Sequence, residues 1–111
     1  MSYDHALAER IRHLLAVESD VTERKMFGGL ALLLRGHMTV VASGTGGLMI
    51  RADPDRADDL VASSPAVFAE MRGMVMKGWL RIDSSDVDTD NELETWVEHA
   101  VSHASTLPAK R

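Results

Sequence analysis

There is no cysteine among the 111 residues. Its absence rules out a disulfide framework, a thiol nucleophile and a thiolate metal site, and fits a chain that works in a reducing compartment. Long apolar runs are missing too. Leu30 to Leu34 is far too short to span a bilayer, and Met1 to Leu15 begins polar and charged without developing an apolar leader core. Neither a membrane anchor nor a signal peptide is expected, and the expected compartment is the cytoplasm. Positive charge is scarce: 12 Lys and Arg stand against 17 Asp and Glu, for a formal net charge of −5 and a pI of about 5.4. A domain that grips nucleic acid through a general positive field is normally basic, so only a local basic patch remains open.

Recognisable catalytic and cofactor motifs are also missing. Ser43-Gly44-Thr45-Gly46-Gly47 lacks the lysine of a phosphate-binding loop and the glycine spacing of a dinucleotide turn. No serine sits in a G-x-S-x-G elbow. His99 and His103 are four residues apart, a spacing that lets two imidazoles share a metal, but no glutamate lies between them and a third ligand would have to come from as far away as His37. Asp53, Asp55, Asp58 and Asp59 do not follow the spacing of a calcium loop. No catalytic residue, metal or cofactor is expected.

What remains is a 45% hydrophobic chain, long enough for one domain over residues 1–111, with 105–111 read as a frayed tail. Leu7, Ile11, Leu14 and Leu15 recur at helical spacing between Asp4 and Glu18. Val21 to Arg24 then leads into Lys25–Ala52, which reads as a meander of three antiparallel strands with turns at Arg35-Gly36 and at the glycine-rich loop. Gly28-Gly29 inside the first of these strands reads as a bulge that re-aims Phe27. Asp53-Pro54 starts a short helix, and Ser63-Ser64-Pro65 breaks it.

Val67–Met71 and Met74–Ile82 form a second hairpin. Strict alternation in the latter sets Met74, Met76, Leu80 and Ile82 on one face and Val75, Lys77, Trp79 and Arg81 on the other. Trp79 is expected to pack under the first helix, with the lysine and arginine stems covering it. Thr89-Asp90-Asn91-Glu92 is a capping box, and Leu93, Trp96, Val97, Ala100, Val101 and Ala104 follow at spacings of three and four. The expected fold is α+β, a five-stranded antiparallel sheet with helices in the order α-β-β-β-α-β-β-α.

Both faces of the meander are apolar, where an antiparallel sheet with one wet side would alternate. The expectation is that helices cover one face and leave the other to a partner chain. Six methionines beyond the initiator fall on expected strands or their ends, where flexible thioethers suit irregular cores and adaptable contacts alike.

Arg24-Lys25-Met26-Phe27-Gly28-Gly29, the apolar strand after it, Arg35-Gly36-His37-Met38 and the strand Leu48-Met49-Ile50-Arg51-Ala52 together resemble the N-terminal domain of the TfoX/Sxy family. The likeness continues through the Asp53 helix start, the second hairpin and the last helix. It implies a five-stranded α+β domain, commonly dimeric, linked to regulation of natural competence and acting through transcription machinery rather than as an enzyme. The expected contact surface comprises Arg24, Lys25, Met26, Phe27, Gly28, Gly29, Lys77, Trp79 and Arg81, in a homodimer associating through its sheet face. Two rival readings are a nucleic-acid binder using Arg24, Lys25, Lys77, Trp79 and Arg81, and a small-molecule binder or enzyme with a closed apolar pocket.

Overall fold

A computed structural model describes residues 3–26, 28–44, 46–71 and 73–108, and for Met71 and Lys77 the backbone alone. The chain forms α1 (His5–Leu15), β1 (Val21–Met26), β2 (Gly29–Leu34), β3 (His37–Ala42), β4 (Leu48–Arg51), α2 (Pro54–Ser63), β5 (Val67–Met71), β6 (Met74–Ile82), a 3-10 turn at Ser84–Val87 and α3 (Asp90–Ala104). The strands build one antiparallel sheet in the order β1-β2-β3-β4-β6-β5.

The α+β class and the three helices are as expected, but the sheet has six described strands instead of five, and four of them precede α2. The added strand is β1. Its sequence, Val-Thr-Glu-Arg-Lys-Met, carries no apolar alternation because it lies at the sheet edge with Thr22 to Lys25 exposed, so it reads as a connector. The chain reverses at Gly28, whose φ of +76° costs a glycine little, and Met26 then lies opposite Gly29. Gly28-Gly29 is therefore not a bulge within a strand. It closes a hairpin, and Phe27 lies outside the described residues.

The helices start as their sequences predict. The Asp4 carboxylate accepts from the Leu7 amide at 3.1 Å, Asp53 accepts from Asp55 at 2.9 Å with Pro54 following, and Thr89 and Glu92 complete the capping box. All three helices pack on one face of the sheet. Leu30, Leu32, Val40, Ile50, Leu80 and Ile82 meet Leu7, Ile11, Ala57, Leu93, Trp96 and Val97 in a single buried cluster. At the β2–β3 turn, the Arg35 guanidinium donates to the Ala104 carbonyl at 3.2 Å, and His37 Nε2 lies 2.6 Å from the Pro108 carbonyl oxygen, which fastens the end of α3 to the sheet. Among the described residues no helix is long and apolar enough to cross a membrane.

Two irregularities in the sheet bear on the other face. Leu32 and Leu33 lie opposite Val40 and Met38, so Thr39 is an extra residue in β3; it is fully buried, and its hydroxyl donates to the His37 carbonyl at 2.9 Å. Phe68 and Ala69 lie opposite Leu80 and Met76, which leaves Lys77, Gly78 and Trp79 unmatched on the β5 side. Each bulge resets the alternation of side chains downstream of it.

Candidate functional site

The face turned away from the helices has its own small core. Ala31, Leu33 and Val41 are buried there, and Met26, Met38, Met49 and Trp79 pack against them half-buried. No helical residue belongs to this cluster. The side chains leave an open cleft of about 240 Å³ between Met26, Met38, Met49, Met76 and Trp79, with Gly29, Ser43 and Gly44 at one end.

The bulges bring these groups together. Without Thr39 as an extra residue, Met38 would alternate to the side of Val40 and face the helices; with it, Met38 joins Leu33 and Val41. The three-residue insertion in β6 likewise lets Met76 and Trp79 line one cleft while Leu80 and Ile82 enter the helix-side core. The strict alternation expected for this strand is thus broken at Lys77–Trp79. Trp79 also does not pack under α1. It neighbours Leu80, which takes the helix side, so the indole points to the opposite face, and the aromatic beneath the helices is Trp96 of α3.

Cross-strand partners point to the same side of a sheet, so the register places the cations. Arg24 is opposite Ala31, Arg51 opposite Trp79 and Arg81 opposite Met49, all on the cleft side. Lys25 is opposite Leu30, on the helix side. The strand carboxylates lie away from the cleft: Glu23 is opposite Leu32, and Glu70 alternates with Ala69 to the side of Phe68, which packs on the helix-side core. Among the described strand residues, the cleft face therefore presents arginine and no acid.

The structure thus brings together Arg24, Met26, Gly29, Trp79 and Arg81 of the expected surface. It sends Lys25 to the other side and leaves Gly28 exposed in the turn. The side chains of Phe27 and Lys77 lie outside the described residues. Arg51, Met38, Met49 and Met76 are new to the surface. Arg51 and Met49 were legible in Leu-Met-Ile-Arg, where they alternate against Leu48 and Ile50; Met38 and Met76 were hidden by the bulges.

The clearest electrostatic pair is on the helix side. Arg12 of α1 donates to both Glu23 carboxylate oxygens, at 2.7 and 2.9 Å, and also to Glu9. Those hydrogen bonds hold the Glu23 carboxyl below its ordinary range and raise the guanidinium further. Elsewhere, His99 and His103 line a small cavity of about 80 Å³ with Asp53, whose carboxylate already caps α2. Among the described residues, no three His, Cys, Asp or Glu side chains group as a metal site needs.

A family model, the TfoX N-terminal domain, matches residues 13–104. This chain belongs to that family. The match runs from within α1 to the last residue of α3, so all six strands of this TfoX N-terminal domain and the whole cleft fall inside it. A comparison with curated proteins finds no match. Within the TfoX N-terminal domain, the Arg24–Gly29 motif takes a concrete structural role. Met26 packs on the cleft face, Gly28 supplies the left-handed turn, and Gly29 starts β2 where a Cβ would come 2.5 Å from the Ala42 carbonyl oxygen.

Proposed function

We propose that this TfoX N-terminal domain is a non-enzymatic regulatory module of the cytoplasm that works through protein contacts as a homodimer, with transcription machinery as its target. The observation that carries the reading is the placement of all three helices on one face of a sheet whose other face is apolar at its centre. A sheet face of that kind gains stability by being covered. The cleft on it is open and holds about 240 Å³, below the size of ordinary cofactor pockets, which favours a macromolecular surface over an enclosed small ligand.

The homodimer contact fits the β5 edge better than the cleft face. Pairing two cleft faces brings arginines against arginines, which desolvates like charges. The two sheet edges differ instead. β1 is guarded by Glu23, Arg24 and Lys25, all exposed, whereas the β5–β6 arm exposes Val67 at 53%, Val75 at 54% and Met74 at 71%. β5 carries one charge among its described side chains, the exposed Glu70, against three on β1, and an edge so lightly guarded invites strand pairing with a second copy. Light scattering across a dilution series tests it: a dimer mass that falls to a monomer on Val75→Glu supports the edge contact, and a monomer at every concentration overturns the homodimer.

One observation favours a second reading. Arg24, Trp79 and Arg81 share a face, as a single-stranded nucleic-acid platform requires. Against it stand the four methionines between them and the net charge of −5. A gel shift at low salt that weakens steeply as salt rises is its signature.

A further inference from the structure

We infer that the cleft face docks an acidic amphipathic helix of a partner protein, which inserts large apolar side chains between the methionines while its carboxylates meet Arg24 and Arg51. This rests on the reading that the domain works through protein contacts, and supplies the chemistry of the contact.

Charge complementarity carries the inference. The chain as a whole is acidic, with 17 Asp and Glu against 12 Lys and Arg, yet its strand acids register away from the cleft and three arginines register onto it. A sheet face that is apolar at its centre and sets three arginines around it, against the net charge of the chain, is complementary to an apolar partner with a negative rim. Arg51 and Arg24 stand on β4 and β1, on either side of the β2–β3 centre of the face, which is where the flanking carboxylates of a helix laid across the strands would fall.

Size and texture point to a helix. Six strands at about 4.8 Å spacing make a face roughly 24 Å wide, the length of about 16 helical residues. The opposite face of the same sheet already packs helices, and a third layer repeats that solution. A cleft of about 240 Å³ suits one or two anchoring side chains. Its four thioethers can adjust to leucine, isoleucine or phenylalanine without rebuilding the backbone. A second copy presenting the same face offers no carboxylate among its described strand residues, and a nucleic acid lacks the apolar anchors.

The test uses the full chain and a fluorescent designed peptide of about 18 residues, helical, with leucine and phenylalanine along one stripe and glutamate flanking it. Its counterpart carries lysine at every glutamate. Binding is read by anisotropy at two salt concentrations, with the oligomeric mass measured on the same samples. The expected result is that the glutamate peptide binds, that the lysine peptide binds at least about tenfold more weakly, and that Arg24→Glu with Arg51→Glu reverses the preference. Both arginines are surface residues of strands, so a circular dichroism melt checks that the variant folds; Arg51→Gln alone, which should weaken the glutamate peptide without reversing the preference, is the milder substitution. Equal binding of both peptides, binding that ignores the arginine substitutions, or no binding overturns the inference. So does displacement of the peptide by a single-stranded oligonucleotide that binds the face more tightly, or a dimer that Met38→Glu alone dissociates, which assigns the face to a second copy. A monomeric chain that still prefers the glutamate peptide would remove the homodimer and leave this inference intact.

Discussion

Arg51 and Trp79 are cross-strand partners in the β4–β6 pair, so a guanidinium and the only described aromatic side chain of the cleft face share one position on the sheet. The second tryptophan, Trp96, is buried at 6% exposure beneath the helices. The two indoles therefore report opposite faces. Acrylamide should quench the emission of a Trp96→Phe variant readily and that of a Trp79→Phe variant weakly. The reverse order would mean that the faces have been assigned the wrong way round.

The glycines divide by what a methyl group would meet. At Gly29 an added Cβ lies 2.5 Å from the Ala42 carbonyl oxygen, an atom of the backbone that cannot swing away. Gly29→Ala should destabilise by about 1–3 kcal/mol or more through forced displacement of β3. At Gly78 an added Cβ meets nothing within 4 Å and the φ is ordinary, so Gly78→Ala should be neutral or stabilise by about 0.4–1 kcal/mol through the unfolded chain. Urea denaturation of the two variants gives the comparison, and equal midpoints would contradict it.

The Arg12–Glu23 pair ties α1 to the edge strand. Because the Arg12 hydrogen bonds make the folded carboxyl titrate lower than in the unfolded chain, its contribution is fully present above the ordinary glutamate range and is lost as pH falls through the lowered folded value. Both side chains are about a third exposed, so solvent screens the pair, which keeps the effect small and makes it sensitive to salt. Glu23→Gln should lower the thermal midpoint at pH 7 and leave it close to the parent at pH 3. A variant that is equally destabilised at both values would place the loss in packing instead.

Helix starts were legible because each carries its own chemistry: a carboxylate or hydroxyl at the cap, proline at the first position, glutamate three residues on. The helix-side core was legible as well, since Leu30, Leu32, Leu80 and Ile82 keep simple alternation or helical spacing. What failed was parity across insertions. Thr39 and the Lys77–Trp79 segment shift the side chains beyond them without any proline or glycine pair to announce it, although Gly78 lies within the second. For that reason the alternation of β6 sets Met76 with Leu80 and Ile82, and that of β3 does not show Met38 beside Val41; Trp79 does alternate against Leu80, and its expected place under the first helix fails because the helices cover the Leu80 side. β1 was missed for a different reason. A charged edge strand is stabilised by pairing with an apolar neighbour, and its own residues carry no signal of that.

Docking on the cleft face requires that the chain itself leave that face open, and the most direct measurement is of the methionine methyl groups. With 13C-labelled methionine methyls and a soluble paramagnetic agent, Met26, Met38, Met49 and Met76 should relax strongly at the concentration where the protein assembles, in contrast to the buried methyls of Leu32 and Ile50 labelled in parallel. Methionine methyls as protected as those of Leu32 and Ile50 would mean that the face is already covered, and would contradict the account.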